Sequence, residues 1–152
     1  MSYRDVFGEI LADHHESPRN YGTLPHPTRV EAGYNPLCGD KVNVALEVEK
    51  DASGEKLSHI AFEGEGCSIC MASASIMSSM VEGKTYAEVQ TLIEGFRKIM
   101  QGATEAEGMP AESNTDEDIV ALYGIKKFPV RIKCALLPWT TLKKGIEAIH
   151  AQ

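Results

Sequence analysis

Residues 40–81 constrain the fold of this 152-residue chain more than any other stretch. Apolar and polar residues alternate over residues 40–50, and a second apolar run over residues 57–64 follows a short turn at residues 51–54. Alternation predicts a half-buried strand, and a turn this short connects antiparallel neighbours. An Ala-, Ser- and Met-rich run over residues 68–81 then predicts a helix. This stretch therefore predicts a β-hairpin that leads directly into a helix.

The rest of the chain predicts more helix than strand. Helices are expected over residues 2–17, 86–100, 115–124 and 139–149, from their capping residues and apolar spacing. Pro129 is expected to begin the last helical region, and Pro138 to break or kink it. Residues 18–36, rich in proline, predict a long semi-mobile loop with a short strand at residues 29–31, and residues 103–114 predict a surface loop. We therefore expect one α+β domain over residues 1–152, with a small antiparallel sheet of about three strands packed against several helices.

The charge balance indicates which kinds of partner suit the surface of the chain. The formal net charge is −7, and the acidic residues are spread through the chain. Because no basic stripe is present, we expect neither nucleic acid nor a membrane as a partner, and a partner with a positive surface is favoured. Residues 1–16 lack the apolar core of a signal peptide, so the expected location is cytoplasmic. Four cysteines in that compartment indicate metal binding or catalysis rather than disulfides.

Cys67 is expected at the mouth of the helix that follows the hairpin. A thiol there lies near unpaired backbone N–H groups and the positive end of the helix dipole, and both favour the thiolate. Cys70 follows at the spacing of a thioredoxin-like redox pair, but that fold needs parallel βαβ connections, whereas these strands are joined by a short turn. We expect Cys70 to face the core. None of the five histidines has a partner at ligand spacing, so each is expected at the surface or at a helix cap.

Three thiols and one carboxylate can meet in the predicted fold. Cys38 and Asp40 flank Gly39 just before the first long strand, Cys67 follows the end of its hairpin partner, and Cys134 lies near the start of a helix. Gly39 lets the backbone bend so that the thiol and the carboxylate point at one centre. Such a set suits Zn²⁺, which takes four Cys, His or Asp ligands in a tetrahedron.

Four motifs give the chain a resemblance to the IscU/SufU/NifU-N family of iron–sulfur cluster assembly proteins. They are Cys38-Gly39-Asp40, Gly66-Cys67-Ser68-Ile69, Ala72-Ser73-Ala74-Ser75 and Arg131-Ile132-Lys133-Cys134. Nearly the whole chain is covered, and the closest resemblance is to the SufU branch. Scaffold-type members usually have a histidine where this chain has Lys133, and they lack the longer segment at about residues 94–116.

The resemblance implies a SufU/IscU-like fold and a zinc-dependent sulfurtransferase. It implies that Cys38 accepts sulfur from a cysteine desulfurase, a SufS-like pyridoxal-phosphate enzyme, and that a downstream scaffold receives that sulfur. The implied metal ligands are Cys38, Asp40, Cys67 and Cys134, of which the last three would keep the zinc. Arg131 and Lys133 are candidates for balancing the charge of this site. Two alternatives stay open: a scaffold that assembles a [2Fe–2S] cluster on the same ligands, and a non-catalytic interaction module with structural zinc.

Overall fold

The structure, a computed structural model, describes residues 2–52 and 54–151. Ser53 of the predicted turn and the two terminal residues of the predicted domain lie outside the described residues. In the described part, three strands form one antiparallel sheet in the order β1 (Arg29–Asn35), β2 (Asp40–Asp51) and β3 (Gly54–Glu65). The predicted α+β class and the predicted hairpin are confirmed.

In the chain, two helices precede the three strands and the other helices follow them. Their bounds are α1 (Tyr3–Phe7), α2 (Glu9–Glu16), α3 (Ser68–Val81), α4 (Tyr86–Met100), α5 (Glu105–Gly108), α6 (Glu117–Tyr123) and α7 (Ile132–His150). Short 3₁₀ turns cover Ser113–Thr115, Gly124–Lys127 and Pro129–Arg131. The predictions for α3 and α4 are confirmed, whereas the predicted first helix is divided at Gly8, whose φ of 90° interrupts it. Within the described residues, no helix combines the length and hydrophobicity that crossing a bilayer requires.

Strand β1 is longer than expected, so the predicted loop over residues 18–36 ends at residue 28 instead. The reason is its inverted pattern: Val30 and Tyr34 are exposed, whereas Glu31 and Gly33 face the helices and are half-buried. Helix α7 lies so close beneath β1 that a Cβ at Gly33 would collide with the Thr141 hydroxyl. Hydrophobic alternation therefore gave no signal for a strand whose inward positions are small or charged.

Pro138 does not break the last helix, which runs unbroken from Ile132 to His150. The ring removes one backbone hydrogen bond, but tertiary contacts hold the helix on both sides of it. Trp139, the next residue, stacks on Phe96 of α4 with ring centroids 4.6 Å apart, and its indole N–H donates to Ser73 Oγ of α3 at 3.0 Å. Ser73 in turn donates to the carbonyl of Ala135 at 2.6 Å. Packing against α3 and α4 thus overrides the local effect of the proline.

His14 is buried, so the expectation that every histidine lies at the surface or at a cap was wrong for it. Its Nδ1 lies 2.7 Å from Ser75 Oγ, and its Nε2 lies 2.9 Å from Asp118 Oδ2. These contacts join α2 to α3 and α6. Ser75 Oγ also accepts from the backbone N–H of Arg19, which fixes the segment that follows α2. His14 therefore has a structural role in the observed fold.

Candidate metal centre

Cys38 and Asp40 lie at the tight turn between β1 and β2. The Asn35 carbonyl accepts from Gly39 N–H at 2.9 Å, and the Asn35 side chain accepts from Leu37 N–H at 3.2 Å. Gly39 adopts a φ of 72°, as the predicted bend required. The Cys38 thiol is exposed and the Asp40 carboxylate is fully buried. Cys38 thus occupies a four-residue turn at residues 36–39, not the end of the expected long loop.

Cys67 is the N-cap residue of α3, where the sequence placed it. Its backbone N–H donates to Asp40 Oδ1 at 2.7 Å, and its Sγ lies 4.0 Å from Asp40 Oδ2. The carboxylate therefore caps the helix in place of the cysteine side chain, and its negative charge faces the positive end of the helix dipole. This contact fixes Asp40 and Cys67 relative to each other.

Gly66 lets the chain pass close to Asp40. Its φ is 154°, and a Cβ built there would lie 2.5 Å from Asp40 Oδ1 and 2.9 Å from Asp40 Cα. Real Cβ atoms do not approach backbone this closely, so a side chain at this position would displace Asp40 or Cys67. Glycine at position 66 is therefore required by the centre itself, in addition to the turn.

The Gly66→Ala variant is expected to lose about 2–4 kcal/mol of stability, the sum of backbone strain and overpacking, and to bind zinc more weakly. Gly22→Ala is the matched control, because Gly22 has a φ of 138° and open space where the Cβ would lie. Urea unfolding and zinc titration of both variants measure the difference. Equal losses in the two variants would show that strain, and not contact with Asp40, sets the effect.

Cys134 completes the group from the first turn of α7. It is buried, and its Sγ lies 3.5 Å from Cys38 Sγ. Burial raises the pKa of the Cys134 thiol far above its usual value, and hydrogen bonding with Asp40, Cys38 and Cys67 raises it further. A metal-free centre thus holds this thiol protonated, and a cation is needed to make a thiolate there stable.

Arg131 is the positive group that acts on the centre. Desolvation lowers the pKa of its guanidinium, but negative charge at Cys67, a hydrogen bond with Cys134 and charge at Cys38 outweigh this, so the pKa is raised. Lys133 is exposed and lines a cleft of about 270 Å³ with Tyr34, Pro36 and other residues. Of the two predicted charge-balancing residues, Arg131 is thus the one that interacts with the thiols.

Three of the four predicted ligands bring donor atoms close enough together to share one metal ion. One atom each from Cys38, Asp40 and Cys134 all lie within 4.8 Å of one another. Two thiolates on one zinc, each about 2.3 Å from it, are separated by about 3.8 Å in a tetrahedron, close to the 3.5 Å between the two sulfur atoms. The fourth predicted ligand, Cys67, lies outside this three-residue group, with its Sγ 4.0 Å from Asp40 Oδ2. A set of three thiols and one carboxylate is one that Zn²⁺ accepts.

Cys70 does not belong to the metal-ligand group. Its thiol is fully buried, and its pKa is raised by burial first and then by the negative charge of Asp40. Cys70 packs in the hydrophobic core. A buried, protonated thiol is inert, in keeping with the predicted core position and against a redox pair with Cys67.

Tyr3 is a neighbour of the centre that the sequence did not reveal. It lies in α1, where burial raises the pKa of its phenol and negative charge at Cys67 raises it further. This relation joins positions far apart in the chain, and no spacing pattern marks it.

Comparison with known proteins places the chain in one family. The NifU-like N terminal domain matches residues 6–135. A zinc-dependent sulfurtransferase SufU from Bacillus subtilis (strain 168) is 37% identical over 141 residues, covering 93% of this chain and 89% of that protein. An iron–sulfur cluster assembly scaffold protein IscU from Streptococcus pyogenes serotype M1 is 36% identical over 142 residues, covering 93% of this chain and 83% of that protein. The crystal structure of FiSufU from Fervidobacterium islandicum AW-1 superposes with a TM-score of 0.79 at 29% identity, covering 95% of this chain and 99% of that one. The chain therefore belongs to the NifU-like N-terminal domain family, which includes SufU and IscU proteins.

Proposed function

We propose that this protein serves iron–sulfur cluster assembly as a zinc-bound sulfur acceptor, which takes persulfide sulfur from a cysteine desulfurase and passes it on. The observation that carries the proposal is the exposed Cys38 thiol, 3.5 Å from the buried thiol of Cys134 and grouped with Asp40. An acceptor has to reach a donor on another protein, whereas the ligands that hold the metal do not. An exposed Cys38 beside the buried Asp40 and Cys134 fits that division.

The transfer itself is a thiol exchange on a sulfane sulfur. The Cys38 thiolate attacks the outer sulfur of the donor's cysteine persulfide, so one S–S bond forms and one breaks. The donor's cysteine leaves as a thiolate and takes up a proton, and Cys38 carries the persulfide. No net oxidation occurs, so no other oxidant or reductant is required. The tight turn presents Cys38 outward for this attack.

The charge of the donor set favours exchange at one thiol. Three thiolates and one carboxylate around Zn²⁺ have a formal charge of −2, so the anions repel one another and one is readily displaced. Arg131 offsets part of this charge from the side of Cys134 and Cys67. Zinc, when bound, holds thiolates in the ionised form without oxidising them. Asp40, Cys67 and Cys134 would hold the metal while Cys38 reacts.

A scaffold that assembles a [2Fe–2S] cluster on the same ligands is the second candidate. The scaffold protein IscU of Streptococcus pyogenes serotype M1 is nearly as similar to this chain as the sulfurtransferase SufU. Against this candidate, the residue before Cys134 is Lys133, and an exposed lysine is a poor ligand. We therefore favour the sulfur acceptor.

We propose a SufS-like desulfurase as the donor and a downstream iron–sulfur scaffold as the recipient. The four cysteines are free, as sulfur acceptance requires, and a reducing compartment such as the cytoplasm would keep them so. The donor has to present its persulfide to the turn that carries Cys38.

Desulfurase turnover with and without this protein tests the proposal, together with metal content and visible absorbance. Bound zinc, no colour and strong stimulation of turnover are expected. A brown chromophore after anaerobic reconstitution with iron and sulfide, without stimulation, would favour the scaffold. Bound zinc without stimulation would leave only a structural role for the metal.

A further inference from the structure

A cleft of about 270 Å³ opens beside the candidate metal centre, between the end of β1 and the first turns of α7. Pro36, two residues before Cys38, lines one side of it, and Lys133, which directly precedes Cys134, lines the other. The sulfur atoms of Cys38 and Cys134 lie 3.5 Å apart, so both sides of the cleft lead to the centre. A segment bound in the cleft would therefore lie next to the exposed thiol.

The walls of the cleft are mainly apolar. Tyr34 and Pro36 line it from the side of β1, and Leu136 and Leu137 line it from α7. Tyr34 is 58% exposed, although an aromatic ring gains much from burial. Aromatic residues that stay exposed at a cleft are typical of surfaces that a partner covers. The cleft therefore suits a segment with at least one large apolar side chain.

The charged groups at the cleft are positive. Lys133 is exposed and makes no ion pair in the part of the chain that the structure describes. Lys41 Nζ lies 5.8 Å from the centroid of the Tyr34 ring, so a second cation stands at the rim. None of the described residues that line the cleft is an aspartate or a glutamate. The missing complement of these cations is a carboxylate supplied from outside.

The positive charge continues along the chain towards Cys134. Residues 126–134 contain four basic residues and no acidic one, in a chain whose formal net charge is −7. The net charge of the whole chain favours a partner with a positive surface, whereas this face favours a partner that presents carboxylates. Two copies of the chain docked through this face would bring their cations together, so a second copy is a poor occupant.

We propose that the cleft binds the segment of the sulfur donor that flanks its persulfide cysteine. A carboxylate of that segment pairs with Lys133, and an apolar side chain packs on Tyr34 and Leu136. The inference rests on the proposed function, and it makes Lys133 and Tyr34 specificity-determining residues for the donor. The donor is the better occupant than the downstream recipient, because it meets the centre with Cys38 unmodified, as in this structure.

Carbodiimide cross-linking of the zinc-bound protein with a SufS-like desulfurase tests which segment occupies the cleft. The reagent joins an amine to a carboxylate only where the two are in contact, and mass spectrometry of the digested complex identifies the joined residues. We expect Lys133 to be joined to an Asp or Glu in the peptide that contains the donor's persulfide cysteine, or in the peptide next to it. A complex in which Lys133 is joined to no donor carboxylate, or to a second copy of this chain, would overturn the inference.

The Lys133→Glu variant tests the charge, and Lys144→Glu is its matched control. Lys144 is an exposed lysine about 16 Å further along α7, and it lies outside the cleft. Both substitutions make the same change in net charge. The measurements are the maximal rate of desulfurase turnover and the concentration of zinc-bound protein that half-saturates it, at low and at high salt.

In Lys133→Glu we expect the half-saturating concentration to rise by at least about tenfold, because a carboxylate of the donor then meets a like charge. The maximal rate should stay nearly unchanged, as expected for a residue that binds the partner without taking part in the chemistry. High salt should reduce the difference from the original protein. Lys144→Glu should stay within about twofold of the original protein, since a single exposed charge contributes little.

The Tyr34→Ala variant tests the apolar wall, with Val30→Ala as its control. Val30 is on the same strand and is 54% exposed, but it lies outside the cleft. Tyr34→Ala should also raise the half-saturating concentration about tenfold, the effect of truncating an aromatic residue that a partner covers. Val30→Ala should leave it unchanged.

Equal shifts in Lys133→Glu and Lys144→Glu would overturn the inference, because general attraction between the two proteins would then explain both. A fall in the maximal rate alone would also overturn it, since Lys133 would then act in the chemistry. Normal stimulation of the desulfurase with the same half-saturating concentration in every variant would refute this inference and leave the proposed function intact. A desulfurase that neither binds the original protein nor turns over faster with it would refute both.

Discussion

Replacing Cys134 with alanine is expected to lower zinc affinity by at least about 100-fold, the upper range for loss of a group that only supports a ligand. Cys134 adjoins every other candidate ligand: its sulfur lies 3.5 Å from that of Cys38 and interacts with Asp40 and Cys67. It also stands on a helix, so no loop movement can bring another donor into its place. At a zinc concentration of 100 Kd, the metal stabilises the folded protein by about 2.7 kcal/mol, and a 100-fold weaker site would leave about 0.4 kcal/mol.

Cys70→Ala is the control for this prediction, because both thiols are fully buried and the substitutions remove the same atoms. Each variant should lose about 1–2 kcal/mol of metal-free stability through the cavity it leaves. Only Cys134→Ala should lose the rise in melting temperature on adding zinc. Competition titration with a zinc chelator measures the affinities directly. Equal loss of affinity in Cys70→Ala would place Cys70 in the ligand set and contradict its assignment to the core.

The parts of the fold that could be predicted from the sequence are those where the local residue pattern and the tertiary packing agree. The start of β2 alternates buried and exposed residues, β2 and β3 pair as the short turn predicted, and α3 and α4 begin and end near the expected positions. Prediction failed where packing determines the outcome. Gly33 faces inward in β1 only because α7 lies directly beneath it, and Pro138 stays helical because Trp139 is held by α3 and α4. Neither contact is visible in the spacing of residues.

The candidate ligands were predictable for a different reason. A hairpin brings the start of β2 next to the end of β3, so Asp40 and Cys67 had to be neighbours once the hairpin was recognised. Cys134 had no such constraint: it was included as a cysteine near the start of a helix that could meet the other two thiols, and its family motif then supported that choice. Gly66 acts on the centre through space, because it leaves room for the Asp40 carboxylate. Interactions of that kind require coordinates.

Replacing Cys38 with alanine is expected to lower sulfur transfer from the desulfurase by at least about 1,000-fold, the scale on which removal of a nucleophile acts. The other thiols cannot substitute for it, because Cys70 and Cys134 are buried and Cys67 is half-buried against Asp40. The fold should survive, since Cys38 is exposed and the turn depends on Asn35 and Gly39 instead. Zinc binding should weaken and persist on the remaining three ligands.

Leu37→Ala is the control for the turn, because Leu37 is 75% exposed and next to Cys38, yet the variant keeps all four cysteines. Single-turnover transfer of ³⁵S from the loaded desulfurase, with mass spectrometry to locate the persulfide, is the measurement. Label should appear on Cys38 in the original protein and in Leu37→Ala, and on no cysteine in Cys38→Ala. Undiminished transfer to Cys38→Ala would reject Cys38 as the acceptor. Label on Cys67 in that variant would instead mean that the centre opens far enough for Cys67, which contacts Asp40 in the resting fold, to reach the donor. Exposure in the resting fold would then not determine which thiol reacts.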